Sequence, residues 1–220
     1  IQKQSHAGQP GDLAVIFDHK RRFLAIGLYD PLSQIRVRVL QHGKPAKIDS
    51  AWFEKKFQQA LSIRTTLPEN TNGYRLIHGE NDGFPGLVLD KYAHTLGLKI
   101  YSLAWIPFLR DLLPLCLGLS PERVILRLGR EAQRHPEHLH NLEDGNLLWG
   151  SKPEGAILFL ENGITFEVDP IHGQKTGFFL DQRDNRSIVE ALATDQSVLN
   201  IFSYTGGFSL FAARGNARSV

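Results

Sequence analysis

The 220-residue chain has no methionine, a single cysteine, and no apolar run that approaches the length of a membrane-spanning helix. One cysteine cannot form an intrachain disulfide framework, which agrees with a cytoplasmic protein. No signal peptide opens the sequence, so we expect no membrane partner. Positive and negative side chains nearly balance at a net charge of +2. Any attraction to nucleic acid must therefore come from a local basic surface.

The most informative segment is residues 198–217, VLNIFSYTGGFSLFAARGNA. Its first apolar residues are typical of a buried parallel strand, and the later ones of a helix that packs against it. These two sets are Val198, Leu199, Ile201 and Phe202, and then Phe208, Leu210, Phe211 and Ala212. Between them, Gly206 and Gly207 lack Cβ atoms, which permits a positive φ and the close approach of a ligand at a helix N-terminus. A tight connection without a ligand remains an alternative interpretation.

Upstream of this turn lies a second motif, His172–Arg186, with the sequence HGQKTGFFLDQRDNR. Together the two motifs closely resemble the bacterial large-subunit ribosomal RNA methyltransferase I family, which uses S-adenosylmethionine to methylate carbon 5 of a cytosine. The segments Tyr74–Tyr92 and Ser33–Leu40 match the same family. The resemblance therefore covers nearly the whole chain, and it implies ribosomal RNA as the partner.

The resemblance also implies which residues bind S-adenosyl-L-methionine. The second motif is expected to pack over the methionine end of the cofactor, and the glycine turn is expected to hold the cofactor against its backbone. The candidate contacts are Lys175, Thr176, Gln182, Arg183, Phe202, Ser203, Tyr204, Thr205, Gly206, Gly207 and Phe208. From the residues alone, Asp181 can cap a helix, and an alternative interpretation of the motif is an ion-paired helix start formed by Asp181, Arg183, Asp184 and Arg186.

No residue of the chain is assigned a catalytic role. The resemblance implies that a cysteine attacks carbon 6 of the cytosine, but that cysteine belongs to a later motif beyond Val220. Cys116 lies in the apolar stretch LLPLCLGL, where burial raises the pKa of a thiol and makes it inert. We therefore expect Cys116 to pack in the core.

The pattern of short strands, helices and turns predicts an α/β fold class, multidomain, with α+β and α/β parts. The expected domains are a partial PUA-like RNA-binding β-barrel (1–46), a middle α/β domain (47–149), and a bridging β-hairpin with the first strand-turn-helix of a Rossmann-like class I methyltransferase domain (150–220). The barrel and methyltransferase assignments come from the resemblance. Asp49 or Ser50 is expected to cap the first helix of the middle domain. The sequence Glu161-Asn-Gly163 predicts the hairpin turn.

A basic face is predicted on the last strand of the first domain, where Ile35, Val37 and Val39 alternate with Gln34, Arg36 and Arg38. Simple solvation of an outer face remains an alternative. With the resemblance to an RNA-binding barrel, the candidate RNA contacts are Arg36, Arg38, Lys20, Arg21 and Arg22.

Other charged clusters have simpler interpretations. Turns favour acidic residues, so Glu80, Asp82 and Asp90 are expected to be structural rather than a carboxylate centre. The arginines around VILRL are expected in a solvated strand and loop, with phosphate contact as the alternative. These are Arg123, Arg127, Arg130 and Arg134. The histidines of HPEHLH have no nearby cysteine and no regular helix, so we expect an exposed loop and assign no metal.

The ribose-binding acidic residue of a nucleoside-binding fold is expected about twenty residues after the glycine turn, which falls past Val220. We therefore expect a piece of a longer enzyme, truncated at both ends and inactive alone. Two alternatives remain: a non-catalytic RNA-binding or assembly module, and a methyltransferase of another substrate class. A homodimer is left open.

Overall fold

The computed structural model describes residues 4–220, and the first three residues of the expected N-terminal domain lie outside that range. The chain divides into two compact units, one ending at Phe178 and the other spanning Phe179–Val220. In the described residues, every helix is too short or too polar to cross a membrane.

The first unit opens with a three-stranded antiparallel sheet in the order β1-β2-β3. Its strands are β1 (Leu13–Phe17), β2 (Phe23–Tyr29) and β3 (Val37–His42). A turn joins β1 to β2, and the Asp18 carboxylate accepts the backbone N–H groups of Lys20 and Arg22 there. The predicted third strand, Ser33–Leu40, is only partly correct: β3 begins at Val37 and extends to His42, so Gln34, Ile35 and Arg36 precede it.

Arg38 and Val39 lie on the faces opposite to those predicted, whereas Arg36 precedes β3 and is exposed. Arg38 lies opposite Leu28, which is fully buried, and directly opposed residues of an antiparallel pair share one face. The Arg38 side chain is consequently only 11% exposed. Val39 and Ile35, expected on the covered face, are 43% and 54% exposed. The prediction failed because alternation reveals two faces but not which face the rest of the unit covers.

A five-stranded sheet forms the centre of the first unit, in the order β4-β5-β6-β7-β8. Its only parallel pair is β6 with β7, and its other neighbours are antiparallel. The strands are β4 (Gly73–His78), β5 (Leu87–Tyr92), β6 (Thr95–Ile100), β7 (Arg123–Leu128) and β8 (Leu147–Trp149). The helices are α1 (Ser50–Ile63), α2 (Leu109–Leu117) and α3 (Arg130–Gln133).

Helix α1 begins as the sequence predicted, because the Asp49 carboxylate accepts the backbone N–H of Trp52. Its residues Phe53 and Phe57 are buried one turn apart against the sheet. The ring of Phe53 stacks on Phe84 at 6.4 Å between centroids, and Trp105 lies 6.0 Å from Phe53. This aromatic cluster lies within the hydrophobic core of the first unit.

The predicted hairpin consists of β9 (Ile157–Glu161) and β10 (Ile164–Val168). Its turn contains Asn162 and Gly163, both with positive φ, as a two-residue hairpin loop requires. Phe159 of β9 packs directly over Gly73, where an added Cβ would lie 2.0 Å from the ring. The hairpin therefore packs against the five-stranded sheet at Gly73, where any residue larger than glycine would displace the Phe159 ring.

The second unit contains α4 (Arg183–Leu192) and α5 (Gly207–Arg214). The two helices approach closely, because a Cβ on Gly215 would lie 2.1 Å from the Glu190 carbonyl oxygen. Arg214 Nε also donates to Glu190 Oε1 over 2.6 Å. The predicted helix after the glycine turn is thus confirmed.

The buried strand predicted over residues 198–202 is wrong. In the second unit as described, the β-pairing is a single parallel bridge between Ser197 and Ser219. Leu199 is 83% exposed and Phe202 is 97% exposed. A strand of a parallel sheet needs helices over both faces of the sheet to cover its apolar side chains. The described residues provide one short contact instead, so these side chains remain in solvent.

Candidate functional site

The glycine turn brings its backbone donors to the start of α5. Gly206 has a φ of +75°, its N–H donates to Ser203 O over 2.8 Å, and its carbonyl accepts the N–H of Leu210 over 3.0 Å. The N–H groups of the first helical residues, 207–209, therefore point out of the helix end. No side chain caps the helix at Gly206. Such an end suits a negatively charged group.

The two glycines differ in what surrounds them. A Cβ added to Gly206 would meet nothing within 4 Å, so the turn is open on that side. A Cβ added to Gly207 would lie 3.1 Å from Arg186 Cδ. Open space for a ligand is therefore found at Gly206, whereas Gly207 leaves room for an arginine of the same unit.

The residues before the glycines follow an irregular path. Phe202 and Tyr204 both have positive φ, which is uncommon for residues other than glycine and marks a locally strained turn. Tyr204 packs edge-on against Phe179 at 5.1 Å between ring centroids. Ser203 and Thr205 are exposed, and Phe208 is partly buried. All the candidate contacts of this turn lie within the second unit.

The start of α4 departs from the prediction. Asp181 belongs to a 3-10 helix, Leu180–Gln182, and Gln182 rather than Asp181 occupies the cap position of α4. The 3-10 turn delays the start of the α-helix, so the predicted Asp181 cap is wrong. Gln182 Oε1 accepts from Asn185 Nδ2 over 2.9 Å, and Arg183 Nε donates to Asp184 Oδ1 over 3.0 Å.

Arg186, for which an ion-paired helix start was the alternative interpretation, is buried and only 3% exposed. Its Nη2 donates to the Phe179 carbonyl oxygen over 3.1 Å. The guanidinium carbon lies 5.8 Å from the centroid of the Phe208 ring. Sequence reasoning missed this position because a helix start rich in charged residues resembles a solvated one. The available signal was Gly207, because a glycine at the start of α5 leaves room for a large side chain such as that of Arg186.

Thr176 and Lys175 lie in the first unit. Thr176 is completely buried, its hydroxyl donates to Asp90 Oδ2, and it lies 2.9 Å from the Tyr92 hydroxyl. The Thr176 hydroxyl is thus committed to the protein interior, and a cofactor contact of Thr176 stays a prediction. The Lys175 carbonyl accepts from Lys99 Nζ over 2.8 Å, and Lys175 has a φ of +57°.

Asp90 is the centre of a buried polar network that explains the position of the loop containing Lys175 and Thr176. Arg75 Nε and Nη2 donate to the two Asp90 oxygens over 2.8 and 3.0 Å. Burial, and next the Asp90 charge, raise the pKa of the Tyr92 hydroxyl far above its usual range. The carboxylate is structural, as predicted. The sequence contained a signal for this pair, because Arg75 stands inside the apolar strand β4 and Asp90 inside the apolar strand β5.

Arg127 of β7 also holds the loop, and the prediction of a solvated strand is wrong at this residue. Its guanidinium donates to Asp144 Oδ1 over 3.0 Å and to the carbonyl oxygens of Pro170 and Gly173 over 2.9 and 3.2 Å. These carbonyls lie in the segment that continues to Thr176. A buried arginine of this kind is tolerated because every donor direction faces an acceptor.

The basic residues proposed to contact RNA are separated. Lys20, Arg21 and Arg22 are exposed in the β1–β2 turn. Arg36 is exposed at the other end of β2, where its carbonyl accepts from Asp30 N. The seven residues of β2 span about 20 Å at roughly 3.3 Å each.

Arg38 does not belong to this exposed set. Its Nη1 lies 3.5 Å from Glu80 Oε1, and a Cβ on Gly86 would lie 3.0 Å from the guanidinium. Arg38 therefore joins the small sheet to the turn before β5. The exposed cations that remain are those of the β1–β2 turn and Arg36.

Cys116 is buried in α2, as predicted, and burial raises its pKa to about 12. His135 precedes a 3-10 helix, Pro136–His138, of which His138 is the last residue, and both histidines lie near Glu137. Across residues 4–220, no group of three histidine, cysteine or acidic side chains is arranged to hold a metal ion.

Two family models match the chain. Residues 136–220 match S-adenosylmethionine-dependent methyltransferases, and residues 1–42 match the PUA-like domain. A ribosomal RNA large subunit methyltransferase of Deinococcus radiodurans is 47% identical over all of this chain and 55% of its own length. The ribosomal RNA large subunit methyltransferase I of Pseudoalteromonas translucida is 37% identical over 97% of this chain and 54% of its own length. The predicted resemblance is confirmed.

The chain spans about half the length of the curated relatives it matches. A putative methyltransferase solved as a complex with SAH superposes with a TM-score of 0.81 at 24% identity, covering 97% of this chain and 54% of that one. A putative SAM-dependent methyltransferase of Streptococcus mutans gives a TM-score of 0.79 over the same share of this chain and 55% of that one. The mixed α/β class, with a PUA-like N-terminal part and a methyltransferase-like C-terminal part, is confirmed. The family model also confirms S-adenosylmethionine as the expected cofactor.

Proposed function

We propose that the chain contributes to an S-adenosylmethionine-dependent methyltransferase that modifies ribosomal RNA of the large subunit. The names of the curated relatives and the family model for residues 136–220 support this proposal. The structural observation that carries it is the left-handed Gly206, which is open to solvent at the start of α5. We place part of the cofactor site at the turn from Ser203 to Gly207.

The chain's own residues supply binding and orientation at this turn. The N–H groups of residues 207–209 are aimed at the space beside Gly206, where they suit the carboxylate of the cofactor's methionine moiety. Gln182 and Arg183 of the same unit are proposed as further contacts, with the exposed Ser203 and Thr205. When bound, the cofactor supplies an electrophilic methyl group.

The proposed target atom is carbon 5 of a cytosine, and the support is the resemblance of the two motifs. Such a methylation uses a cysteine thiolate that adds to carbon 6, after which carbon 5 takes the methyl group, a base removes the carbon 5 proton and the thiolate leaves. Cys116 does not fit this role because it is buried and its pKa is raised to about 12.

Replacing Gly206 by Asn tests the cofactor turn. Asparagine tolerates the left-handed conformation, so the turn should persist while a side chain fills the space beside it. We expect the affinity of the full-length gene product for S-adenosylmethionine to fall by roughly tenfold or more, about 1.4 kcal/mol, in calorimetry. The thermal midpoint should change little.

Gly43→Asn is the matched control, because Gly43 has the same φ of +75° and a Cβ added there would also meet nothing within 4 Å. This variant should bind the cofactor like the wild type. An unchanged affinity in folded Gly206→Asn would remove the turn from the cofactor site.

For RNA, we propose that the exposed β1–β2 turn contacts phosphates through Lys20 and Arg21. Each lost phosphate contact should reduce the slope of log affinity against log salt by about 0.7 to 0.9. The double variant Lys20→Ala, Arg21→Ala should therefore flatten the slope for ribosomal RNA, measured by fluorescence anisotropy. Arg38→Ala should leave the slope unchanged, because Arg38 is covered. An unchanged slope in the double variant would favour simple solvation of the turn.

A further inference from the structure

Arg186 is the one residue of α4 that is fully buried, although it sits in the charged first half of the helix. Its neighbour Asp184 has a side chain that is 82% exposed. Arginine is rarely buried unless its donors are satisfied. The position therefore has a specific set of contacts rather than a general solvating role.

Those contacts converge on the two ends of the proposed cofactor region. Arg186 Nη2 donates to the carbonyl of Phe179, which itself packs against Tyr204 of the turn. The guanidinium lies over the ring of Phe208. Along the stem, Cδ would be 3.1 Å from a Cβ on Gly207, and Nε would be 3.7 Å away. One side chain thus touches the segment before α4 and the first two residues of α5.

The absence of a side chain at Gly207 is explained by this packing. Gly207 lies in the first turn of α5 and has no positive φ, so its backbone conformation does not require glycine. The close neighbour is the Arg186 stem, which occupies the volume that a Cβ would fill. The backbone path of the turn and the position of the Arg186 side chain therefore depend on each other.

We propose that Arg186 is a positioning residue for the cofactor turn: it holds Phe179, Gly207 and Phe208 in one arrangement, which sets the direction of the backbone donors at the start of α5. This inference rests on the proposed function for its consequence in cofactor binding. Its structural part concerns the turn itself, and the two parts are tested separately.

The test compares Arg186→Met, which keeps the stem but removes the donors, with Arg186→Lys, which keeps a charge and one donor group. Arg218→Met is the control, since Arg218 is exposed in the same unit. Amide hydrogen exchange of residues 203–208 and calorimetric affinity for S-adenosylmethionine are measured on the full-length gene product. Thermal unfolding reports whether each variant is folded.

We expect the turn amides of Arg186→Met to exchange at least tenfold faster than in the wild type, and the cofactor affinity to fall at least tenfold. Arg186→Lys should recover part of both losses, and Arg218→Met should match the wild type. If Arg186→Met does not fold, Arg186→Lys decides, with faster exchange confined to the turn as the supporting result.

Wild-type exchange at the turn in a folded Arg186→Met protein would overturn the inference. So would an equal increase over all of α4 and α5, because Arg186 would then support the unit in general. If the wild type itself does not bind S-adenosylmethionine, the proposed function fails, whereas the exchange comparison still decides the positioning of the turn.

Discussion

The buried carboxylate of Asp90 should make a large contribution to the stability of the first unit. Asp90 is inaccessible to solvent and accepts two hydrogen bonds from Arg75 and one from Thr176. Replacing it by Asn keeps the shape of the side chain but removes the charge and one acceptor oxygen. Arg75 then loses the carboxylate charge of Asp90, and the hydrogen bond from Thr176 is weakened.

The expected loss follows from the geometry of the pair. Removing one partner of a buried ion pair costs about 3 to 5 kcal/mol, because an uncompensated charge is left behind. The Arg75 side chain is partly accessible to water, which places Asp90→Asn near the lower limit. Thr176→Val leaves the ion pair intact and should cost less, about 1 to 3 kcal/mol, since Asp90 Oδ2 and the Tyr92 hydroxyl each lose one buried hydrogen bond.

The measurement is urea unfolding of the chain followed by far-ultraviolet circular dichroism, with the free energy of unfolding extrapolated to water. Glu131→Gln provides the control, because its pair with Arg134 is exposed and exposed pairs contribute about 0 to 1 kcal/mol. A loss of unfolding free energy below about 1 kcal/mol for Asp90→Asn would refute the reasoning, because such a loss is no larger than that of an exposed ion pair.

Three further predictions concern the first unit. Cys116 should react with a thiol reagent at pH 8 only on unfolding; because its folded pKa is raised to about 12, stability should fall as pH rises from the ordinary thiol value toward 12, measured by urea unfolding. Lys99→Met should speed tryptic cleavage after Lys175 several-fold, because the Lys175 carbonyl loses its donor and the loop opens more often. Gly73→Ala should lower the free energy of unfolding by about 1 to 3 kcal/mol through overpacking against Phe159.

The chain offers matched controls for two of these changes. Lys91→Met removes a lysine whose ammonium lies over the Tyr74 ring rather than on the loop, so cleavage after Lys175 should stay at the wild-type rate. Gly155→Ala adds a methyl group where nothing lies within 4 Å, so stability should change little. Equal effects in a variant and its control would contradict the proposed contact. For Cys116, rapid labelling of the native chain would contradict its burial.

Most of the regular structure could be predicted from local patterns. Apolar alternation located the strands, Asp49 marked the start of α1, and Asn162 with Gly163 marked the hairpin turn. These features depend on residues close together in the chain, where propensity and hydrogen bonding act directly. The sequence could also locate the glycine turn and its helix.

Features that depend on distant residues could not be predicted in the same way. The direction of Arg38 depends on which face of the small sheet meets the turn near Gly86. The burial of Arg127 depends on carbonyl groups of a loop far along the chain, around Pro170. In both cases an arginine that alternates with apolar residues looks solvated, because its acceptors are backbone or remote side-chain oxygens that composition does not reveal.

The paired glycines also form a motif that the sequence locates but whose contacts the sequence does not reveal. Gly206 and Gly207 are identical neighbours in sequence, yet the first is required by a left-handed φ and the second by the stem of Arg186. Asparagine can satisfy the first requirement but not the second, because the second is a matter of volume rather than of backbone conformation. The same substitution should therefore preserve the turn at position 206 and displace Arg186 at position 207. Which glycine has open space beside it is decided by the packing of α4 against α5, and that packing becomes visible only in the folded unit.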